Sequence, residues 1–359
     1  MSYVSLRRVH RPSIQPFLTG AVVGVLITVM LFTATSLDPA SINFSIFSSK
    51  RETILRTIGD HSHHDHHHKM LNTSLSETLY EKVRVLCWIM TGPKNHKSKA
   101  QHVKATWGRR CNILIFMSTE TDHSLPAVAL PVIENRDNLW GKTKEAFKYV
   151  YENYYEKADW FFKGDDDTYA IMENMRYMLN DYNSSDPIYF GFRMKPYVSQ
   201  GYMSGGGGYV LSKESVKRFV TEAIPNPEKC KSDNTGAEDV EIGRCLEAVG
   251  VKAGDSRDTE GRSRFLPLFL TDLLIPGAMD SSHWFWQYTY YPFEAGLECC
   301  SDNLITIHYV GPYNLYLLEY LIYHVQPFGI GYSPTLTSDN KTVYHNLTEQ
   351  NKTVDKHKP

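Results

Sequence analysis

The sequence predicts an α/β fold, a mostly parallel sheet with helices on both faces, standing behind an N-terminal segment built to cross a membrane. Two observations predict the body. Apolar runs of strand length alternate with longer stretches whose apolar residues recur every three or four positions, the pattern of strands that return through helices. At 42% hydrophobic and 22% charged residues, the chain has enough apolar surface to bury a core and reads as globular. A third observation predicts the anchor: residues 17–37 carry no charge and are mostly apolar. About 20 such residues match the thickness of a bilayer's hydrocarbon core.

The elements follow in chain order. Arg7, Arg8 and Arg11 precede the apolar run and Asp38 follows it. Residues 1–16 are therefore expected in the cytosol, 17–37 in the membrane as a transmembrane signal-anchor, and the rest in the secretory lumen. A cleaved signal peptide would have a shorter apolar core of about 7–15 residues. Residues 38–80 show no sustained periodicity and hold a histidine-rich patch from His61 to His68, which fits a stem.

The body spans 81–332. Strands are expected at 83–90, 113–117, 127–133, 160–163, 188–192, 209–211 and 305–309. Helices are expected at 140–155, with Thr143, Phe147, Val150 and Tyr154 on one face, after Ile171 with Met175 and Met178 inward, and at 213–222, 240–249 and 315–324. Residues 333–359 are polar, carry three N-glycosylation sequons, and are expected to be loosely ordered.

Two features agree with a lumenal body. The sequons at Asn43, Asn72, Asn183, Asn340, Asn346 and Asn351 all follow the apolar segment, and so do all six cysteines. An even number of cysteines in an oxidising compartment predicts disulfides, and no C-x-x-C spacing suggests zinc. Six cysteines allow 15 connectivities. Cys87 with Cys111 and Cys230 with Cys245 are near in sequence; Cys299 and Cys300 then form a vicinal ring or pair elsewhere. The net charge of -2 provides no field to recruit nucleic acid.

The most informative segment is 159–169, where an apolar strand runs into Asp165, Asp166 and Asp167. Three adjacent carboxylates repel one another unless something positive sits among them. Residues two apart in an extended chain share a side, so Asp165 and Asp167 can face one cation while Asp166 turns away. Oxygen ligands suit magnesium, manganese or calcium.

The run Asp159-Trp-Phe-Phe-Lys-Gly-Asp-Asp-Asp-Thr-Tyr169 resembles the D-x-D segment of the β1,3-glycosyltransferases of glycosyltransferase family 31. Further blocks resemble its core 1 β1,3-galactosyltransferase branch: Arg136-Asp-Asn-Leu-Trp-Gly-Lys-Thr143, Pro187-Ile-Tyr-Phe-Gly191, Lys195-Pro-Tyr197, the stretch from Gly201 to Lys213, Ala253-Gly-Asp-Ser-Arg-Asp-Thr259 and Cys299-Cys-Ser-Asp302. They keep the family's order from about Val83 to Gly331. Departures are small: Gly164 and Gly207 stand where the family pattern has alanine, and 230–237 and 261–282 diverge.

The resemblance implies a GT-A fold, a Golgi location and an inverting transfer of galactose from UDP-galactose to the 3-hydroxyl of GalNAc on Ser or Thr of glycoproteins, forming the core 1 O-glycan. It implies Asp165, Asp167 and His308 as ligands of manganese, Asp239 as catalytic base and Glu238 as its neighbour. Met90, Glu134, Asn135, Arg136, Lys142 and Tyr309, with Asp165 and His308, match nucleotide-side positions, and Tyr209 matches an acceptor contact. Trp284 and Trp286, in an unusually aromatic stretch, are expected to stack on the acceptor sugar, with packing into the core as the alternative. A homodimer is a further implication. A chaperone relative of such enzymes lacks the metal motif, so the intact acids argue against that role. A fringe-like β1,3-N-acetylglucosaminyltransferase is the other alternative, which the blocks at 201–213 and 253–259 disfavour.

Overall fold

The apolar run at 85–90 forms strand β1 (Val85–Met90), buried along its whole length. Val85, Cys87 and Ile89 face one core, and Leu86, Trp88 and Met90 face another across the sheet. Period-two alternation gives this division wherever helices cover both faces of a strand. The computed structural model describes residues 73–327 and the backbone of two further strands, 333–336 and 342–345. The expected cytosolic tail, membrane segment and most of the stem lie outside the described residues. No helix among the described residues is long and apolar enough to cross a membrane.

Helix α1 (Ser74–Lys82) precedes β1. After β1, a π-helical turn leads into α2 (Gln101–Ala105), then β2 (Ile113–Ser118), β3 (Ala127–Ala129) and α3 (Leu139–Tyr154). Next come β4 (Trp160–Asp165), β5 (Tyr169–Ala170), α4 (Met172–Leu179), β6 (Ile188–Gly191), β7 (Arg193–Met194), β8 (Tyr202–Met203), β9 (Tyr209–Ser212) and α5 (Lys213–Arg218). The remainder are α6 (Glu238–Ala248), β10 (Lys252–Ala253), β11 (Phe265–Leu266), α7 (Leu270–Leu274), α8 (Trp284–Tyr288), β12 (Thr306–Ile307), α9 (Pro312–Tyr323), β13 (Ser333–Leu336) and β14 (Thr342–His345).

The main sheet has seven strands in the order β10-β6-β9-β4-β1-β2-β3. All its pairings are parallel except those of β9, which runs antiparallel to both β4 and β6. The fold is therefore a mixed α/β sheet flanked by helices. On one face, α3 contributes Trp140, Phe147 and Val150 and α6 contributes Ile242 and Leu246; on the other lie Met172, Met175 and Met178 of α4. Each helix presents the apolar stripe its spacing predicts.

Several expected elements differ in extent. The strand expected at 127–133 stops at Ala129, ahead of Pro131, which has no N–H for a ladder. The strand expected at 305–309 is only Thr306–Ile307, because Tyr309 turns to φ 57°. Helix α1 begins within the region expected as stem; Leu79 packs on the core and the Arg176 guanidinium covers Tyr80. In the tail expected to be loosely ordered, β13 and β14 pair antiparallel. The disulfides are Cys87–Cys111, Cys230–Cys245 and the vicinal Cys299–Cys300.

A small second sheet, β11-β12-β5, matters most for the site. Ile307 pairs antiparallel with Tyr169, and the Val310 amide donates to the Asp167 carbonyl at 2.8 Å. This register carries residue 308 alongside the acidic turn that ends β4.

Candidate active site

The carboxyl ends of β1 and β4 open into a cleft of about 1740 Å³. That is roomy enough for a nucleotide and a second substrate together, since ligand pockets typically measure about 300–1,000 Å³. Along β4, Phe161, Lys163 and Asp165 share one face by period-two alternation. Lys163 is buried, and its ammonium donates to Asp165 Oδ1 at 2.6 Å and to the Gly205 carbonyl at 2.9 Å. The chain then turns: the Thr168 hydroxyl accepts from the Asp165 amide and donates to the Gly206 carbonyl.

Asp165, Asp167 and His308 each offer one ligand atom, and these atoms lie within 4.8 Å of one another. His308 Nδ1 is 3.1 Å from the Pro267 carbonyl, which can only accept, so Nδ1 carries a proton. A neutral ring then turns the lone pair of Nε2 toward Asp167 Oδ1, 3.3 Å away. Two electron-pair donors facing each other at that distance call for a proton or a cation between them. Two carboxylates and an imidazole tethered by its other nitrogen fit a divalent ion. Burial raises the Asp167 carboxyl, but a hydrogen bond from His308 whenever Nε2 is protonated, and the Lys99 ammonium beside it, overcome this and hold the group well below the usual carboxylate range.

Asp166 does turn away. It accepts from the Thr91 hydroxyl at 2.8 Å and the Asn95 amide at 2.9 Å, and burial pushes its carboxyl up. Its partners belong to the loop after β1, so the middle acid ties that loop to the turn carrying the other two.

Glu238 and Asp239 open α6, where the helix dipole favours negative charge. Glu238 is buried and accepts from Tyr209 Oη at 2.6 Å and Thr143 Oγ1 at 2.8 Å. Asp239 is half-buried and accepts from the amides of Gly205 at 3.2 Å and Val240 at 2.9 Å. Burial raises both carboxyls above their ordinary values, against the opposing pull of Lys163. The Gly205–Gly206 turn thus touches both halves of the site, Asp239 on one side and His308 on the other.

The cleft also includes Met90, Glu134, Arg136, Tyr309 and Trp284. Tyr309 stacks on His308 with ring centroids 3.9 Å apart. Other expected residues sit differently. Lys142 lines the cleft, but it is buried and its ammonium donates to Glu134 and to the Thr91 carbonyl, so it is a strut in place of a free phosphate partner. Asn135 caps the turn of 136–138 through its own side chain and is outside the cleft lining. Tyr209 is no open acceptor contact: it faces inward from a central strand, opposite Lys163, and holds Glu238. Trp286 packs against Phe285 and Phe293 with its Nε1 donating to the Asp280 carbonyl, because it falls on the inner face of α8. Lys163, Lys99 and Thr143 were not among the expected site residues. A lysine two positions before Asp165 inside an apolar strand was the one local signal for Lys163.

A family profile described as Fringe-like matches residues 80–258. Glycoprotein-N-acetylgalactosamine 3-beta-galactosyltransferase 1 of Xenopus laevis is 44% identical over 346 residues, 94% of each chain. Beta-1,3-glucosyltransferase of Mus musculus is 28% identical over 174 residues, 48% of this chain and 35% of its own. Among solved structures, a glycosyltransferase involved in the glycosylation of the major capsid of PBCV-1 aligns at 17% identity and TM-score 0.26, covering 37% of this chain and 62% of its own. Identity of 44% across nearly the whole of both chains shows that this chain belongs to the Fringe-like glycosyltransferases, in the family of the glycoprotein-N-acetylgalactosamine 3-beta-galactosyltransferases.

Proposed function

We propose that this chain, on a GT-A fold, transfers galactose from UDP-galactose to the 3-hydroxyl of GalNAc α-linked to Ser or Thr, with inversion at the anomeric carbon. The observation that carries the proposal is the shared cleft: a ligand-type cluster on the β4 side and a raised carboxylate, Asp239, across the Gly205–Gly206 turn. Inversion needs one displacement. The acceptor oxygen bonds to the anomeric carbon, its proton passes to Asp239, and the bond from that carbon to UDP breaks. A carboxylate with a raised pKa is the better base, and Glu238, braced by Tyr209 and Thr143, fixes the helix start that aims it. Manganese held by Asp165, Asp167 and His308 would offset the charge that the departing diphosphate gains. Met90, Glu134 and Arg136 provide the nucleotide side, with Tyr309 over His308. Trp284 offers an exposed indole face to the acceptor sugar.

In the same reading, 17–37 anchors the protein in the Golgi membrane as a single-pass type II protein. The stem, body and glycosylated tail then lie in the lumen, and two copies form a homodimer. The test uses the full-length chain in detergent with UDP-galactose, a GalNAcα-Thr peptide and manganese, with and without EDTA. Metal-dependent product with a β1,3 linkage, lost in Asp167→Ala, supports the reading. No product with UDP-galactose, but product with UDP-N-acetylglucosamine, would refute it in favour of a fringe-like transfer.

A further inference from the structure

The cleft has an outer wall that the transfer of a sugar does not by itself require. Tyr197, between β7 and β8, adopts φ 79°, a left-handed conformation that side-chain-bearing residues rarely hold. It remains 55% exposed, so burial of its ring does not explain the conformation. The chain on either side of it is tied down. The Lys195 amide donates to the Tyr288 carbonyl at 2.7 Å and the Tyr290 amide to the Arg193 carbonyl at 3.1 Å, while Arg193 Nε donates to the Gln200 carbonyl at 2.7 Å. Held in this way, the Tyr197 hydroxyl meets the Tyr288 hydroxyl at 2.8 Å, with the rings edge to face at 5.9 Å. Tyr288 is itself edge to face with Trp284 at 5.7 Å. All three line the cleft, above a floor that includes buried Met194 and Tyr202. Strain that the surroundings over-determine, in an exposed residue at a cleft, points to a binding role.

We propose that Tyr197 and Tyr288 form the subsite for the peptide that carries the acceptor sugar. The inference rests on the function proposed above. An acceptor that presents its 3-hydroxyl to half-buried Asp239 bears its peptide on C1, two bonds round the ring from C3, so the peptide has to leave the cleft along its lining, where this rim stands. Paired tyrosines suit a peptide: two rigid rings cover its apolar surface, and the two hydroxyls share one hydrogen bond, which leaves one O–H and several lone pairs for amide groups.

The experiment compares kcat/KM of the full-length chain for a GalNAcα-Thr peptide and for methyl α-GalNAc, with saturating UDP-galactose. In the wild type the peptide is the better acceptor. Tyr197→Ala lowers the peptide-to-methyl ratio about tenfold, and Tyr197→Phe restores part of it. Should Tyr197→Ala melt before assay, Tyr288→Phe removes only a hydroxyl and lowers the ratio about threefold. An unchanged ratio in Tyr197→Ala and Tyr288→Phe overturns the inference, whatever happens to overall rate. A wild type that prefers neither acceptor also overturns it and leaves the proposed function standing. A wild type that uses neither acceptor, yet binds UDP, overturns the proposed function and this inference together.

Discussion

A β-carbon placed on Gly206 would sit 2.0 Å from Cε1 of His308, inside the imidazole itself. The glycine is what lets the turn lie close against the ring, and the Pro267 carbonyl holds the ring through Nδ1. Gly207, one residue on, has nothing closer than 3.4 Å to such a carbon, an ordinary contact. Gly206→Ala should therefore displace His308 and weaken metal binding about 10–100-fold, as loss of a ligand's support typically does. Gly207→Ala should stay within about twofold of wild type on the same scale. Manganese titration of UDP binding, read by calorimetry, separates the two; equal affinities would remove His308 from the metal site.

Asp239→Asn should lower kcat about 10²–10⁴-fold, the range for a general base, with little change in the affinity for UDP-galactose. The wild-type rate should fall on acidification through a pKa above the ordinary carboxylate range, because burial favours the protonated, inactive form. Stability moves the opposite way. A carboxyl raised by folding contributes stability that is full below its unfolded pKa and is lost as pH rises through the folded one. Asp239→Asn should thus melt increasingly above wild type from acid toward neutral pH. A variant that keeps its rate would move the base elsewhere.

Tyr209→Phe tests whether that tyrosine supports Glu238 or touches acceptor. The lost hydrogen bond reaches a buried carboxylate, so unfolding should cost about 1.5–3 kcal/mol less at neutral pH. The deficit should shrink on acidification as Glu238 takes up a proton. The acceptor KM should hold, and a rise in it without loss of stability would restore Tyr209 as an acceptor contact.

The three successive acids should separate by role. Asp167→Ala removes a ligand and should abolish metal-dependent UDP binding. Asp166→Asn keeps the ligands but loosens Thr91 and Asn95, so metal stoichiometry should persist while kcat drops about tenfold. Metal stoichiometry by mass spectrometry under native conditions, measured beside the kinetics, distinguishes the roles; loss of the ion in Asp166→Asn would make it a ligand as well.

Much of this was open to reading from the residues alone. The unbroken apolar runs at 85–90 and 160–162 read as buried strands, since a doubly covered sheet leaves few other ways to bury such short runs. Asp165 and Asp167 with a diverging Asp166 follow from the same geometry, and the apolar spacing gives a helix over 240–249, which the structure begins two residues earlier, at Glu238. These are local properties, set by neighbours within a few residues along the chain.

What only the tertiary structure decided is which distant residues meet and which way a side chain faces. His308 reaches Asp167 because Ile307 pairs with Tyr169 in a sheet too short to announce itself. Tyr209 turns inward because β9 runs antiparallel to β4 in a register that puts it opposite Lys163. Lys142 is buried because Glu134 and the Thr91 carbonyl come to its amine from two other segments. Trp284 meets the cleft and Trp286 the core on one short helix, a difference set by what packs beneath it. Sequence spacing specifies local periodicity and the chemistry each side chain can do; strand register and packing, which sum contacts over the whole chain, specify distance.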